Sequence, residues 1–199
     1  MTLRIATPAD AQALLDIYAP YVRTTAISFE YEPPTREEFA HRIADVLTAF
    51  PYLAAEEDGH ILGYAYAHPY GVRKAYSWSV ELSIYLAPEA RGQGIGRRLY
   101  EAMEALLKAQ NVTNLYALVA GVDEEDGHLT HDSVKFHTAM GYTQVGKLTN
   151  AGYKFGRWYH MLTFEKHIAP HPCGTQPNVL PFHQLPPEIV RKALNRTDV

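Results

Sequence analysis

The clearest pattern of apolar and polar residues in this chain runs from Ser79 to Gln110. Up to Ala87, apolar residues occupy every second position, which predicts a strand with one face turned toward a core. Pro88 has no backbone N–H, so we expect this strand to end at about Ala87. From Ile95 onward the apolar residues recur at helical spacing. A strand, a turn and an amphipathic helix are therefore expected in immediate succession.

The residues before this segment predict two helices and three strands. A first strand covers residues 3–6, and Thr7-Pro8-Ala9-Asp10 has the composition of a helix start. A Thr-x-x-Glu capping box predicts a second helix from about Arg36 to Phe50. We expect residues 21–31, which show no clear periodicity, to form a loop or short helix that covers a substrate. Two further strands flank an Asp-Gly hairpin turn, at residues 52–56 and 61–68.

The second half of the chain continues the alternation of strands and helices. A buried strand is predicted at residues 115–120, followed by a long acidic loop that begins at Gly121. A short helix is predicted at 133–140, capped at or near Asp132 and ended by Gly141. The last two predicted strands, at 144–148 and 158–166, form an antiparallel pair. This order predicts an α/β domain with a mixed sheet flanked by helices.

The C-terminal residues differ in composition from the rest. Residues 170–199 contain six of the 13 prolines, and only residues 187–195 have the pattern of a short helix. We therefore divide the chain into a domain at 1–168 and a proline-rich extension at 169–199.

Net charge and cysteine content exclude several classes of partner. The net charge is −4, which argues against nucleic acid because phosphate binding needs a concentrated basic surface. The single cysteine, Cys173, excludes an intrachain disulfide and favours a reducing compartment. No apolar run approaches the roughly 18 residues of a membrane span, and no signal peptide precedes Leu3. We expect a cytoplasmic protein with no membrane partner.

The turn between the central strand and helix is rich in glycine, with the sequence Arg91-Gly92-Gln93-Gly94-Ile95-Gly96. Glycines before a helix N-terminus bring unpaired N–H groups and the positive end of the helix dipole toward an anion. The spacing fits neither the dinucleotide fingerprint nor the P-loop. A plain tight turn is the structural alternative. Arg91, Arg97 and Arg98 form a small basic cluster, large enough to bind one pyrophosphate.

At these residues the chain resembles the GCN5-related N-acetyltransferases, whose signature is Arg/Gln-x-x-Gly-x-Gly/Ala after a strand. Arg91, Gly94 and Gly96 occupy those positions. The match is closer to the branch of phosphinothricin and methionine sulfoximine N-acetyltransferases and related L-amino acid N-acyltransferases. The segments that carry this closer match are Thr25–Glu30, Ser79–Glu81 and Ala151–Trp158. The resemblance spans roughly residues 2–165.

The resemblance implies a fold and a co-substrate. The fold is a mixed, mostly antiparallel sheet flanked by helices, and the acyl donor is acetyl-CoA. The pantetheine arm pairs with the backbone at Ile84, Tyr85 and Leu86, and the pyrophosphate lies on Arg91, Gly92, Gln93, Gly94, Ile95, Gly96 and Arg97. Ser133 is carried over as a further cofactor contact. The family often has asparagine three residues before that serine, where this chain has Thr130 and a longer preceding loop.

Two acidic residues are candidates for a general base. A free α-amine has a pKa of about 7.7–8.0, so it must lose a proton before it attacks a thioester. The resemblance assigns this proton transfer to Glu81, which alternates with the apolar residues of the central strand. Glu30 is the second candidate, as a base or as a ligand for the substrate ammonium. A solvated strand glutamate is the alternative reading of Glu81.

His137 is the candidate acid, because many members of the superfamily place at this position a tyrosine that protonates the leaving thiolate. An exposed helix histidine with no role is the alternative. Other histidines occur nearby, but the chain has no His-Glu-x-x-His motif and no cysteine pair. We therefore expect no metal.

A substrate carboxylate requires a cation, and apolar walls would surround the rest of the substrate. The cations near predicted pocket segments are Arg73, Lys74, Lys154 and Arg157, and the aromatic candidates are Phe29 and Tyr76. Each of these side chains has an alternative reading as a surface charge or core aromatic. The segment from Lys154 to Trp158 has a second reading as part of a dimer interface, since the resembled family is dimeric.

These observations lead to one hypothesis and two alternatives. The hypothesis is N-acetylation of a small amino acid or analogue, by direct attack of its amine on acetyl-CoA in a ternary complex. The first alternative is acetylation of a protein N-terminus or lysine. The second is a non-catalytic acyl-CoA sensor or interaction domain, which would keep the glycine turn but would not need Glu81.

Overall fold

The protein folds around one seven-stranded sheet with α-helices on both faces, in a computed structural model that describes residues 1–195. The strands are β1 (Thr2–Ile5), β2 (Tyr52–Glu57), β3 (His60–Pro69), β4 (Ser79–Leu86), β5 (Asn114–Gly121), β6 (Thr143–Lys154) and β7 (Arg157–His167). The helices are α1 (Ala11–Thr24), α2 (Arg36–Leu47), α3 (Ile95–Ala109), α4 (Asp132–Ala139) and α5 (Pro187–Leu194). The order in the sheet is β1-β2-β3-β4-β5-β7-β6, and β4–β5 pairs parallel between antiparallel neighbours. This confirms the predicted mixed, mostly antiparallel sheet.

The two faces of the sheet are covered by different helices. Tyr85 of β4 packs edge-on against Tyr18 of α1, with 4.8 Å between ring centroids. A Cβ built on Gly96 of α3 would lie 3.4 Å from Cδ1 of Ile84. Because neighbouring residues of a strand point to opposite faces, α1 and α3 lie on opposite sides of the sheet. The core is therefore built in two layers around β4.

Several predicted boundaries need correction. Residues 21–24, predicted to belong to a separate loop or short helix, instead continue α1, because Tyr21 and Val22 pack in the core. The second helix ends at Leu47 instead of Phe50, although its predicted cap is confirmed by a 3.1 Å bond from Glu38 N–H to the Thr35 hydroxyl. Gly121 is the last residue of β5 and does not open the acidic loop. The penultimate strand is longer than predicted, because β6 resumes pairing with β7 after a register shift.

The described part of the C-terminal extension, residues 169–195, packs against the domain. Leu185 and Ala193 belong to the hydrophobic core. The Gln110 amide at the end of α3 donates to the carbonyls of Ala49 and Leu180, at 2.8 and 2.6 Å. The extension is thus attached by both apolar burial and hydrogen bonds. Within residues 1–195, no helix has the length and apolar character needed to cross a membrane.

Candidate active site

The central feature of the site is a gap between β4 and β5. The two strands pair in register at only three positions, from Ser79 with Asn114 to Glu81 with Tyr116. Both strands continue beyond that point, so their later residues diverge. A cleft of about 370 Å³ lies in the resulting gap. Of the predicted site residues, its lining includes Ile84, Tyr85, Leu86, Arg91, Gly92, Ser133 and His137.

The edge of β4 that faces the cleft offers backbone hydrogen-bonding groups. Ala87 N–H bonds back to Leu62 O on the β3 side, whereas Leu86 bonds to a side chain on the other side. The Tyr21 hydroxyl accepts from Leu86 N–H at 3.3 Å and donates to Leu86 C=O at 2.6 Å. Because backbone groups alternate direction along a strand, Ile84 turns its N–H and C=O the same way as Leu86. The backbone N–H and C=O of Ile84 can therefore pair with an extended amide chain in the gap. Those of Leu86 are already hydrogen-bonded to the Tyr21 hydroxyl.

The glycine turn leads from β4 into α3. Gly92 and Gly94 have φ values of +74° and +78°, a conformation that ordinary residues adopt at a cost. Gly94 is the N-cap of α3, so the first N–H groups of the helix point out of its N-terminus. Arg91 stacks over Tyr21, with the guanidinium carbon 5.2 Å from the ring centroid. Positive charge and free N–H groups thus converge where the strand gap meets the helix.

The reason for glycine differs along this turn. A Cβ on Gly96 would lie 3.1 Å from Cε2 of Phe136, so glycine at this position lets α3 approach α4 closely. Two other predicted cofactor residues bond within the chain near the turn. The Gln93 side-chain amide donates to Glu89 O at 2.6 Å, and the Arg97 guanidinium lies 3.6 Å from the Glu101 carboxylate. Gln93 thus stabilises the turn through its side chain.

The opposite wall of the cleft carries a buried histidine. His137 of α4 is only 5% exposed, so the alternative of an exposed helix histidine is wrong. Its Nδ1 lies 2.7 Å from Ser133 O, which can only accept, so Nδ1 carries the hydrogen. Nε2 then accepts from the Tyr100 hydroxyl at 3.1 Å. Burial lowers the pKa of His137, while the bond to Ser133 opposes this, so the neutral ring is favoured.

Glu81 lies at the closed end of the gap. It is the last residue of β4 that pairs with β5, and its side chain is 18% exposed. Its chain neighbours Val80 and Leu82 are buried, so Glu81 points to the opposite face, as its sequence position predicts. Its carboxylate lies 3.6 Å from Nε2 of His68 on β3. A carboxylate in this position can accept a proton from a group held at the end of the cleft.

Glu30 has a different environment. Its carboxylate accepts from Arg42 Nη1 at 2.7 Å, and the same guanidinium donates to Glu38 at 2.6 Å. These contacts tie the loop after α1 to α2. Glu30 is thus part of an ion-pair network with Arg42 and Glu38 of α2.

The predicted cations at Arg73 and Lys74 are exposed, on a turn that runs into β4. Tyr76 of this turn packs edge-on against Tyr70, and Tyr70 packs on Tyr116 with 4.3 Å between centroids. Tyr116 is the register partner of Glu81. A row of aromatic rings therefore connects this turn to the strand beside the candidate base.

Three other predicted substrate residues hold the scaffold together. Lys154 is 3% exposed, and its ammonium donates to the carbonyls of Val22, Thr25 and Ser28 at 2.7–2.9 Å. Arg157 donates to Asp126 at 2.8 Å and so anchors the acidic loop.

Phe29 lies against the backbone of β6, where a Cβ on Gly152 would collide with its ring. Lys154 and Phe29 thus fix the loop after α1 against β6, whereas Arg157 fixes the acidic loop against β7.

The sequence did not single out several residues that line the cleft. Tyr21 and Ile27 fell in the segment predicted as a loop or short helix, and Tyr100 was not distinguished from the apolar residues of α3. Met103 and Leu107 follow Tyr100 by three and seven residues, so helical spacing places Tyr100 on the buried side, which is the signal that was available. Thr130, where the family often has asparagine, also lines the cleft. Within residues 1–195, no cluster of three or more His, Cys, Asp or Glu side chains could hold a metal ion.

Comparison with known proteins identifies the class to which this arrangement belongs. Residues 3–163 match the family described as the acetyltransferase (GNAT) domain. The chain therefore belongs to the GNAT family and is an acetyltransferase, which confirms the resemblance seen in the sequence.

Individual relatives point to one branch of this family. The chain is 41% identical to a phosphinothricin N-acetyltransferase of Alcaligenes faecalis over 83% of this chain and 81% of that protein. It is 30% identical to an L-methionine sulfoximine/L-methionine sulfone acetyltransferase of Salmonella typhimurium, over 87% of this chain and 100% of that protein. A phosphinothricin acetyltransferase of Sinorhizobium meliloti, solved in complex with AcCoA, superimposes with a TM-score of 0.80. That structure is 31% identical, over 88% of this chain and 92% of the other.

Proposed function

We propose that this protein transfers the acetyl group of acetyl-CoA to the amine of a small amino acid or analogue of the phosphinothricin or methionine sulfoximine type. The observation that carries the proposal is the gap between β4 and β5, which has Glu81 at its closed end and the glycine turn beside it. The names of the relatives support the substrate class.

The residues around the gap fit an acetyl-CoA molecule. The N-terminus of α3, with Arg91 and Gly92, would hold the pyrophosphate, and Ile84 would pair with the pantetheine amides. A backbone N–H of β4 would polarise the thioester carbonyl. When bound, acetyl-CoA supplies an activated acyl group, so the protein need not form a covalent bond. The structure agrees with direct attack, because the single cysteine, Cys173, is exposed on the C-terminal extension.

The proton leaves the substrate ammonium through Glu81. A charged ammonium has no lone pair, so attack follows transfer of one proton to the carboxylate, directly or through a water. Glu30 would stay an ion-pair partner of Arg42 and shape the acceptor side of the site. His137, on the cofactor side of the gap, would protonate the leaving thiolate after its Nε2 has taken up a proton, because its Nδ1 hydrogen is held by Ser133 O.

The substrate carboxylate would be bound near the turn that precedes β4. Arg73 and Lys74 are exposed there, whereas the ammonium of Lys154 and the guanidinium of Arg157 already have partners. The proposal therefore uses Arg73 and Lys74 as carboxylate ligands, with Tyr76 beside them. It leaves Lys154, Arg157 and Phe29 in the scaffold.

A thiol-release assay with acetyl-CoA tests this function. We expect phosphinothricin and methionine sulfone to be acetylated at least tenfold more efficiently, in kcat/KM, than their decarboxylated analogues, since an unpaired binding cation is costly. Equal rates with and without the carboxylate would indicate a general amine acetylase. Activity on peptide N-termini or lysines alone would indicate a protein substrate, and binding of acetyl-CoA without turnover would indicate a sensor.

The variant Glu81→Gln tests the base in the same assay. It keeps the size of the side chain but cannot accept the proton, so we expect kcat to fall roughly 10²–10⁴-fold at neutral pH. The loss should shrink as pH rises, because more amine is then already neutral. Glu57→Gln, in β2 far along the sheet from the gap, is the matched control. Wild-type turnover in Glu81→Gln would transfer the role to Glu30 or to water.

The assembly proposed for the protein is a homodimer in the cytoplasm. β6 is the outer strand of the sheet and exposes Val145, Leu148 and Tyr153, with Trp158 exposed on β7 beside it. An apolar edge strand of this kind needs a partner or a cover. With one cysteine, the chain forms no intrachain disulfide, and this supports a location in a reducing compartment such as the cytoplasm.

A further inference from the structure

His68 is a titratable side chain next to Glu81 that the mechanism above does not use. The two residues are register partners on β3 and β4, and Nε2 of His68 lies 3.6 Å from Oε1 of Glu81. His68 is 37% exposed at its side chain, so it can exchange protons with solvent, whereas Glu81 is more enclosed. The pair therefore connects the candidate base to water.

A backbone carbonyl determines which ring nitrogen of His68 carries the hydrogen in the neutral state. Nδ1 of His68 lies 3.2 Å from Pro69 O, and a carbonyl can only accept, so Nδ1 carries the hydrogen. In the neutral ring, Nε2 then presents a lone pair to Glu81 and offers it no hydrogen. Protonation of the ring adds an N–H at Nε2 that is directed at the carboxylate. The two charge states of His68 thus have opposite effects on Glu81.

The other charges near His68 lie on α2 and the neighbouring strands. The ring shares a second cavity, of about 290 Å³, with Arg42 and Asp45 of α2 and with Tyr66 of its own strand. Arg42 is already paired with two carboxylates, and Tyr66 lies 6.1 Å away between ring centroids. Glu81 lies within ion-pair distance of Nε2, and its proximity raises the pKa of His68, while burial opposes the rise.

We propose that His68 is a positioning residue that sets the pH at which Glu81 can act as a base. Below this pH, the imidazolium holds Glu81 in an ion pair and makes its carboxylate a poorer proton acceptor. Above it, His68 has released its proton to solvent, and Glu81 can take one proton from the substrate ammonium. This inference rests on the proposed function, since it requires Glu81 to be the base.

NMR titration of the histidine ring protons tests the coupling without any turnover. The resonance of His68 is identified by its absence in His68→Gln, with His68→Asn as a second variant for this purpose. We expect the pKa of His68 to be lower in Glu81→Gln than in the wild type, because the carboxylate charge is gone. An unchanged pKa would overturn the proposal, whatever the activity of either variant.

The pH profile of kcat tests the consequence for catalysis. The wild type should show a rising limb at the pKa found by NMR, and the limb should stay in place with substrates of different amine pKa. In His68→Gln, whose amide replaces Nε2 but does not titrate, the limb should disappear, and the ratio of kcat at pH 8 to that at pH 6 should fall at least about fivefold.

His60→Gln, on the exposed end of the same strand, is the matched control and should keep the wild-type profile. A limb retained in His68→Gln would overturn the inference. Wild-type turnover in Glu81→Gln would instead overturn the assignment of the base, and the NMR coupling would be unaffected by that failure.

Discussion

At the residue scale, the site shows how different surroundings give one side-chain type different properties. His137 and His68 both have Nδ1 against a backbone carbonyl, but Nε2 meets a hydroxyl in the first and a carboxylate in the second. Burial lowers the pKa of His137, and a nearby negative charge raises that of His68. The two rings therefore differ in charge over the same pH range.

Lys154 gives a prediction at this scale. Its buried ammonium has three carbonyl partners on the end of α1 and the following loop, and burial lowers its pKa. Replacement by Met keeps most of the stem and leaves three carbonyls without this donor. We expect Lys154→Met to lower the free energy of unfolding by about 2–4 kcal/mol in urea titrations.

Lys147→Met is the matched control, because that lysine lies on the same strand and its ion pair with Asp123 is at the surface. Its cost should stay within about 1 kcal/mol. Equal costs for the two variants would show that Lys154 does not secure the loop.

At the element scale, the conformation of β4, the glycine turn and α3 is determined by the local sequence. The glycine turn has a counterpart elsewhere, since Gly59 in the β2–β3 hairpin has φ of +79° and Gly94 has +78°. A Cβ at either position has no heavy atom within 4 Å among the described residues, so both side chains would point into open space. Only Gly94, however, caps the helix whose N-terminus faces the cleft.

This pair of glycines separates backbone strain from loss of binding. We expect Gly94→Leu and Gly59→Leu each to cost about 1–2 kcal/mol in stability, because both force a side chain into the left-handed region. Calorimetry should show acetyl-CoA binding at least tenfold weaker in Gly94→Leu and unchanged in Gly59→Leu. Equal affinity in both variants would remove the turn from the binding site.

Elements with local signals could be predicted from the sequence, and those decided by distant contacts could not. The strand up to Ala87 and the helix from Ile95 were recognisable because alternation, proline and glycine act within a few residues. The last turn of α1 was missed because burial of Tyr21 depends on β4, 65 residues away. The roles of Lys154 and His68 could not be predicted from the sequence, because the groups that they contact lie on other elements.

At the scale of the whole molecule, the C-terminal extension and the domain form a continuous structure over the described residues. We propose residues 1–168 as the acetyltransferase domain and the extension as a brace against α3. Besides its apolar contacts, the extension accepts at Pro177 O from Trp78, which lies between the exposed turn and β4. It thereby supports the segment that leads into the strand of Glu81.

The outer edge of the sheet leads to the last prediction, which concerns assembly. β6 lies at one end of the strand order, and Leu148 and Trp158 of the β6–β7 hairpin are 63% and 56% exposed. Burying such side chains on a second copy would be favourable. We expect light scattering to give twice the mass of one chain, and Leu148→Lys to shift the protein toward monomer. Ile189→Lys, an exposed apolar position on α5, is the control and should remain dimeric. A wild-type protein that stays monomeric at all concentrations would leave this edge without the proposed partner.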